Sequence, residues 1–555
     1  MRLRRRDLFR GAAGAALWAL PLVSSVGCSI VREPDALATG PFRHGVASGD
    51  PLPDAVILWT RATQNGEAAA PVEVTWEIAK DATFSAIVGT GAVTTDAARD
   101  FTVKVDATGL EAGTTYYYRF RGLGVTSAIG RTRTAPRTAS QLRFAVASCS
   151  NYAEGYFHAY RAIAKRADID AVIHLGDYIY EYADGEYGDE RKSVPLNETK
   201  SLADYRARYS QYRLDPDLRE AHRQHPFITT WDDHEVADNS YKGGSGTTVA
   251  EAHEERRRAA FQAYAEWMPI RGELADGKIW RALRYGDLAD LLILDTRHWA
   301  KEKQTNSTEM TRFAADRQIL GADQEAWFFD ELRASKAQWK LVCQQVLMSP
   351  LPQYLNTDQW DGYPAARDRF YDAIEKGGVK DVVVLTGDIH ASFANDLARR
   401  PTEPGGYDPA TGKGSLAVEI VTPAITSETP SKPSAVQVLL ENKWVKHVNM
   451  ERHGFVLLDL DRDRAHAAFH YVKDVESREG QDAEFSKGVA TRTGENFLRD
   501  AGGLPERPQP PVLAPESIAL DVGPQRTLPA KRPGRRHKDK FGALRRIPHT
   551  RSGVD

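Results

Sequence analysis

Cysteine is nearly absent from this chain. Three cysteines in 555 residues cannot build a disulfide scaffold, so each needs its own explanation. A charge of one sign is missing too. There are 73 Lys+Arg against 76 Asp+Glu, a formal net charge of -3, which gives bulk charge no hold on a nucleic acid. No apolar run is long enough for a polytopic membrane protein, and internal repeats are absent. With 41% hydrophobic and 27% charged residues, the composition also excludes a disordered chain. What remains is a globular protein, large enough to bury its cores without staples. At about 150 residues per domain the length allows three to four domains.

Residues 1–38 read as an address. A basic start, Met1 to Arg10, precedes an apolar run of about 16 residues, too short for a spanning helix. Arg5-Arg6-Asp7-Leu8-Phe9-Arg10 resembles a twin-arginine export signal. That implies the twin-arginine machinery as a partner, folding before export, and a secreted or periplasmic location. Two outcomes of processing stay open. Ala36-Leu37-Ala38 fits a small-x-small cleavage site, and Val26-Gly27-Cys28 is a partial lipobox that would put a lipid on Cys28.

Residues 39–138 read as all-β. Val56-Ile57-Leu58-Trp59, Val72 to Trp76 and Phe101 to Val105 are short β-rich runs separated by turn signals. The stretch Gly109 to Phe120 resembles the corner of a fibronectin III or Ig-like module, with Tyr116 expected to hydrogen-bond backward. From 139 to 500 apolar strands alternate with amphipathic helices. The strands are expected at Leu142–Ala147, Asp170–Leu175, Phe227–Trp231, Leu291–Leu294, Leu341–Val346, Val382–Leu385, 416–421 and 454–460. Helices are expected near Tyr156–Arg166, Glu251–Met268 and Asp323–Ala334. Residues 501–555, rich in proline and then basic over Lys531 to Lys538, read as a solvated, mobile tail. Its alternative role is attraction to anionic lipid or cell-wall polymer.

The chemistry gathers where ligands gather in open α/β sheets, beyond the carboxyl ends of strands. Successive strands end in Ser148-Cys149-Ser150-Asn151, Gly176-Asp177-Tyr178-Ile179-Tyr180, Trp231-Asp232-Asp233-His234-Glu235 and Gly387-Asp388-Ile389-His390. Any one alone is weak; together they predict a metal site. The Asp177 carboxylate can bridge two cations. A Tyr180 phenolate is a hard anionic ligand suited to a trivalent ion, and Asp388 and His390 share one side of an extended segment.

These blocks resemble those of the alkaline phosphatase D (PhoD-like) family of secreted calcineurin-like metallophosphoesterases. The resemblance is also carried by Phe42 to Pro51, Leu58-Trp59-Thr60-Arg61 and Leu294-Asp295-Thr296-Arg297. It implies an α/β catalytic domain, a β-sandwich flanked by helices, preceded by a small all-β domain. It implies a monomer that hydrolyses phosphate monoesters or diesters with one Fe³⁺ and two Ca²⁺. Cys149, Asp177, Tyr180 and His390 would hold iron. Asp177 would bridge to calcium, Asp388 would bind calcium, and Asp233 stands where the wider superfamily has an asparagine ligand. His234 would contact phosphate and protonate the leaving oxygen. Asn151, just past Cys149, would be a further oxygen ligand or a contact to substrate. Arg297 either grips phosphate through a bidentate pair or forms a structural salt bridge. No histidine matches the usual Asp-x-His of the first block, and none follows the strand ending Met348-Ser349-Pro350. Both departures fit iron and calcium better than two zincs.

Some members of that family are phospholipases D, so a phospholipid substrate stays open. A cysteine hydrolase built on Cys149 and a polyanion-binding module leave the clustered aspartates unexplained. Cys343, mid-strand, reads as core, and His174, His225, His447 and His453 read as structural. The glycine-rich stretch Gly406 to Lys413 is one residue too long for a P-loop. Asp459-x-Asp461-x-Asp463 lacks the glycine and glutamate of a calcium hand.

Overall fold

Alternation along the strand Gln141–Ala147 explains the layering. Leu142, Phe144 and Val146 point to one face, and Ala145 and Ala147 to the other, all buried. A strand buried on both faces needs a layer on each side. The computed structural model supplies them, and describes residues 40–516 apart from 65–69, 247–249, 275, 431–433 and 480–481.

Two large sheets face each other. In the ten-stranded sheet the order is Arg499–Ala501, Glu484–Arg492, Arg464–Tyr471, Gly454–Asp461, Gln141–Ala147, Ala171–His174, Pro226–Thr229, Val46–Gly49, Ala55–Arg61, Thr102–Thr108. In the seven-stranded sheet the order is Arg281–Tyr285, Ala289–Ile293, Trp339–Cys343, Val382–Thr386, Ser415–Val421, Ser392–Ala398, Val445–Asn449. Phe144, Val146 and Ile228 meet Leu291, Leu341, Val383 and Ile420 between them. The outer face of the first sheet packs on the helices His158–Ala164, Leu202–Leu214, Pro216–Gln224 and Ala250–Trp267. That of the second packs on Ala322–Ala334 and Pro364–Gly377 through Phe328, Phe370 and Ile374. The result is a β-sandwich flanked by helices. Cys343 lies in the sandwich core, and burial pushes its thiol up to about 12.

The all-β region departs from a free-standing domain. Val46–Gly49, Ala55–Arg61 and Thr102–Thr108 extend the ten-stranded sheet, with Ser48 paired in parallel to Pro226. The physical reason is edge cover: without them Pro226–Thr229 would present an open edge. Their other face, Val46, Leu58, Val103 and Val105, packs on a five-stranded sheet through Val74, Ile78, Tyr118 and Phe120. A small sandwich exists, and it shares one of its sheets with the α/β region. Its corner is formed as expected, the Glu111 N–H donating to the Tyr116 hydroxyl at 2.8 Å.

The first part of the tail is a docked strap. Arg143 Nη2 donates to the Pro505 carbonyl at 2.9 Å, Tyr117 Oη to Val512 O at 2.7 Å, and Ala514 N to Gln224 Oε1 at 2.8 Å. Apolar-poor sequence hid this because the strap is held through its backbone. Residues 1–38, with Cys28, and the basic run 531–538 lie outside the described residues. Among the described residues no helix is long and apolar enough to cross a membrane.

Candidate metal centre

Three neighbouring parallel strands, Gln141–Ala147, Ala171–His174 and Pro226–Thr229, deliver their carboxyl ends to one place. Val382–Thr386 delivers its end from the facing sheet, and a bridge between Ser148 and Ala424 joins the two sheets there. Each chain must turn sharply after its strand. Cys149, Asp177, Asp388 and His390 all adopt left-handed backbone, with φ of 59°, 53°, 62° and 56°. Such φ values are uncommon outside glycine and cost of order 1–3 kcal/mol each. Four of them at one site mark strain held for geometry. Gly176 makes the closest approach possible: at φ 108° an added Cβ would lie 2.5 Å from Asp232. The Cys149 and Ser150 N–H groups donate to the Gly176 and Asp177 carbonyls at 3.1 and 2.9 Å, tying the first turn to the second.

The turns assemble three overlapping donor sets. Ligand atoms of Cys149, Asp177 and His390 lie within 4.8 Å of one another, as do those of Asp177, Asp233 and His234, and of Asp232, Asp233 and Asp388. Asp177 and Asp233 each belong to two sets, the arrangement a bridging carboxylate needs. Tyr180 completes the first: its hydroxyl lies 2.9 Å from Asp177 Oδ2 and 3.0 Å from His390 Nε2. Asp232 Oδ2 is buried without a hydrogen-bond partner among the described residues. An orphaned carboxylate oxygen beside thiol, phenol, imidazole and further carboxylates fits cations, which supply the missing partner.

Electrostatics agrees. Burial first, then the Asp177 carboxylate, push the Cys149 thiol and the Tyr180 phenol well above their ordinary values, so both await a cation to ionise. Burial raises Asp232 as well, against the pull of Arg297. For Asp233 burial works upward, but Arg297 and His234 prevail and hold the carboxyl low. The buried thiol bonds to Ser148 Oγ at 3.1 Å rather than to a base, which disfavours a cysteine nucleophile.

His234 faces a cavity of about 480 Å³ with Asp177, Asp233, Asp388 and His390 in its lining and Tyr182, Tyr241, Gln304 and Asn356 in its walls. Its ring stacks on Tyr180 at 4.2 Å, and Nδ1 lies 2.7 Å from Glu181 Oε2. Burial alone would depress the imidazole. The carboxylates of Asp233, Glu181 and Asp177 outweigh it and hold His234 well above its usual value.

Two sequence-based expectations need correction. Arg297 is fully buried and bonded to Asp232, Asp358 and Asp388, with Asp233 at 3.3 Å, and it is not in the cavity wall. Of its two readings the structure bears out the salt bridge: it gathers carboxylates. Asn151 caps the short turn Tyr152–Glu154 through Ala153 N at 3.0 Å, and its amide donates to Tyr187 O at 3.0 Å. Both ends of the side chain hold partners in the protein, and Asn151 is not in the lining of the cavity. The structural histidines have structural partners: His174 meets Tyr160, His225 meets Ile163 O, His447 meets Tyr471 and His453 meets Ser427 O. Sequence reasoning missed Asp232, Glu181 and Glu235, although all three stand inside the blocks that carried the argument. Lys301 and Asp358, a buried pair backing Arg297, gave no local signal.

Known proteins share both the sequence and this architecture. A family model described as PhoD-like phosphatase matches residues 144–469, and one described as PhoD-like phosphatase, N-terminal domain, matches residues 28–136. Alkaline phosphatase D of Bacillus subtilis (strain 168) is 36% identical over 536 residues, covering 90% of this chain and 88% of that protein. A solved structure of PhoD superposes with a TM-score of 0.77 at 35% identity, covering 84% of this chain and 93% of that one. The chain therefore belongs to the PhoD-like phosphatase family and is a phosphoric ester hydrolase.

Proposed function

We propose that the protein is an exported phosphoesterase for phosphate monoesters and diesters, working with one Fe³⁺ and two Ca²⁺. The observation that carries the metal reading is the convergence of Cys149, Asp177 and His390 within 4.8 Å, with the Tyr180 hydroxyl against two of them. Thiolate, phenolate, carboxylate and imidazole together suit a trivalent iron. The all-oxygen set Asp232, Asp233 and Asp388 suits calcium, and the intermediate set links the two, sharing Asp177 with the first and Asp233 with the last. Cations held there would neutralise phosphoryl oxygens and acidify the attacking water, the larger share of a task of up to roughly 20 kcal/mol.

The chain's own residues do the rest. Glu181 accepts from the Nδ1–H of His234 and fixes the ring, so that the imidazolium form carries its second proton on Nε2. The Glu181 carboxylate beside the ring favours that protonated form, which would give its proton to the leaving oxygen, a contribution of about 10²–10⁴-fold. Arg297 keeps Asp232 and Asp388 aimed at the same spot. The basic and then apolar N-terminus, with Arg5-Arg6, supports export by the twin-arginine route.

Metal analysis of purified protein, a visible spectrum for a tyrosinate–iron band, and assays on a phosphomonoester, a phosphodiester and phosphatidylcholine test the proposal. Iron, calcium and turnover of the first two are expected. Zinc alone would overturn the metal reading, and turnover of phosphatidylcholine alone would make the enzyme a phospholipase D.

A further inference from the structure

The strained turns need something to hold them, and one side chain ties the Asp177 turn to the turn that carries Asp232. Glu235 ends the short turn Asp233–Glu235 and is 1% exposed. Its Oε2 accepts from Asp232 N at 2.6 Å and from Asp177 N at 3.0 Å, and its Oε1 accepts from Tyr178 N at 2.5 Å. Capping its own turn would take only the bond to Asp232 N. The other two bonds go to the turn after a different strand, where Asp177 sits at φ 53°. That turn receives the N–H groups of Cys149 and Ser150 in its own carbonyls. One carboxylate thereby sets the backbone of three segments that carry Asp232, Asp177 and, through one more link, Cys149.

We propose that Glu235 is the positioning residue of the metal centre, holding the Asp177 and Asp232 turns at the separation that lets their carboxylates share cations. The proposal rests on the metal reading above. A carboxylate accepts three N–H bonds with both oxygens. The amide of Glu235→Gln offers one oxygen and points an NH₂ at an N–H, so at least one strained turn is released. Outer residues that orient metal ligands typically contribute 10–100-fold to metal affinity.

The test is metal retention rather than turnover. Wild type, Glu235→Gln and Asp459→Asn are exposed to EDTA for timed intervals, and bound iron and calcium are measured alongside thermal midpoints. Asp459 is a buried carboxylate paired with Arg143 and Gln141, so its variant reports plain destabilisation away from the metal-bearing turns. Glu235→Gln should lose metal about 10–100-fold faster than wild type, and Asp459→Asn at the wild-type rate. Unchanged retention in Glu235→Gln, or equal acceleration in Asp459→Asn, overturns the proposal. Wild type devoid of metal overturns the metal reading instead. Should Glu235→Gln fail to fold, Glu235→Asp, which keeps the charge but is one methylene shorter, should show the same faster loss; wild-type retention there overturns the proposal equally.

Discussion

Replacing Glu181 by glutamine changes one atom and separates the two roles His234 could have. The Glu181 carboxylate is fully buried, 2.7 Å from His234 Nδ1, and its Oε1 also accepts from Asp238 N at 2.6 Å. A hydrogen bond to a charged group contributes about 1.5–3 kcal/mol, which as lost transition-state stabilisation is about 10- to 150-fold in rate. The carboxylate also helps hold His234 above its ordinary value against burial, so its removal lowers the imidazole's proton affinity. An acid works only below its pKa, so the alkaline limb of the kcat profile should move to lower pH. The loss must depend on the leaving group. An alkyl phosphate, whose alkoxide needs a proton, should lose about 10- to 150-fold. A p-nitrophenyl ester, whose phenolate leaves without one, should lose little. Steady-state kinetics on both esters from pH 5 to 10 reads this directly. Equal losses on both esters with an unmoved limb would show that His234 only binds phosphate and that Glu181 is scaffolding.

Asp177→Asn should nearly abolish turnover and release metal, because among the described residues no other joins both the Cys149–His390 and the Asp233–His234 sets; elemental analysis and activity near wild type would refute the assignment. Arg297→Met leaves Asp232, Asp233, Asp358 and Asp388 without their shared cation and should cost about 3–5 kcal/mol of stability by denaturant unfolding; a loss below about 1 kcal/mol would refute the clamp. Burial depresses His174, His225 and His298 to about 3, so each stays neutral in the fold but protonates near 6.5 when unfolded. Their stabilisation is present above about pH 6.5 and lost as pH falls from there toward 3, a limit of about 5 kcal/mol per group. Thermal midpoints should fall steadily below pH 6.5, and less steeply in His225→Gln; a flat profile would contradict it.

The site was legible where chemistry sits next to a strand. An apolar run followed by Cys149, Asp177 or Asp388 announces both its element and its ligand within ten residues. What needs distant partners was not legible. Arg297 could be a phosphate grip or a salt bridge on local evidence, since its carboxylates come from residues 232, 233, 358 and 388. Asn151 looked free because a cap is invisible until the turn after it exists. The helices Leu202–Leu214 and Pro216–Gln224 did carry local signals, a Ser201–Asp204 capping box and Asp215 before Pro216. Few apolar positions mark them, because tyrosines do the packing: Tyr205, Tyr209 and Tyr212 are all buried. The shared sheet of the N-terminal region escaped for the same reason as Arg297: Ser48 pairs with Pro226, far away in sequence.

The position of Gly454–Asp461 bears on the order of assembly. This late strand lies directly against Gln141–Ala147, pairing Val456 with Val146 across about 310 residues. The early strand that leads into Cys149 pairs at once with Ala171–His174 on one side, but its other side lacks a neighbour until nearly the whole chain has left the ribosome. Closing so long a loop is slow and leaves an apolar edge open meanwhile. The turn that carries Cys149 gains the support of this neighbour only once the late strand has been made. The twin-arginine export proposed above, which carries a protein across a membrane already folded, would spare it a second, unaided attempt at that closure outside the cell.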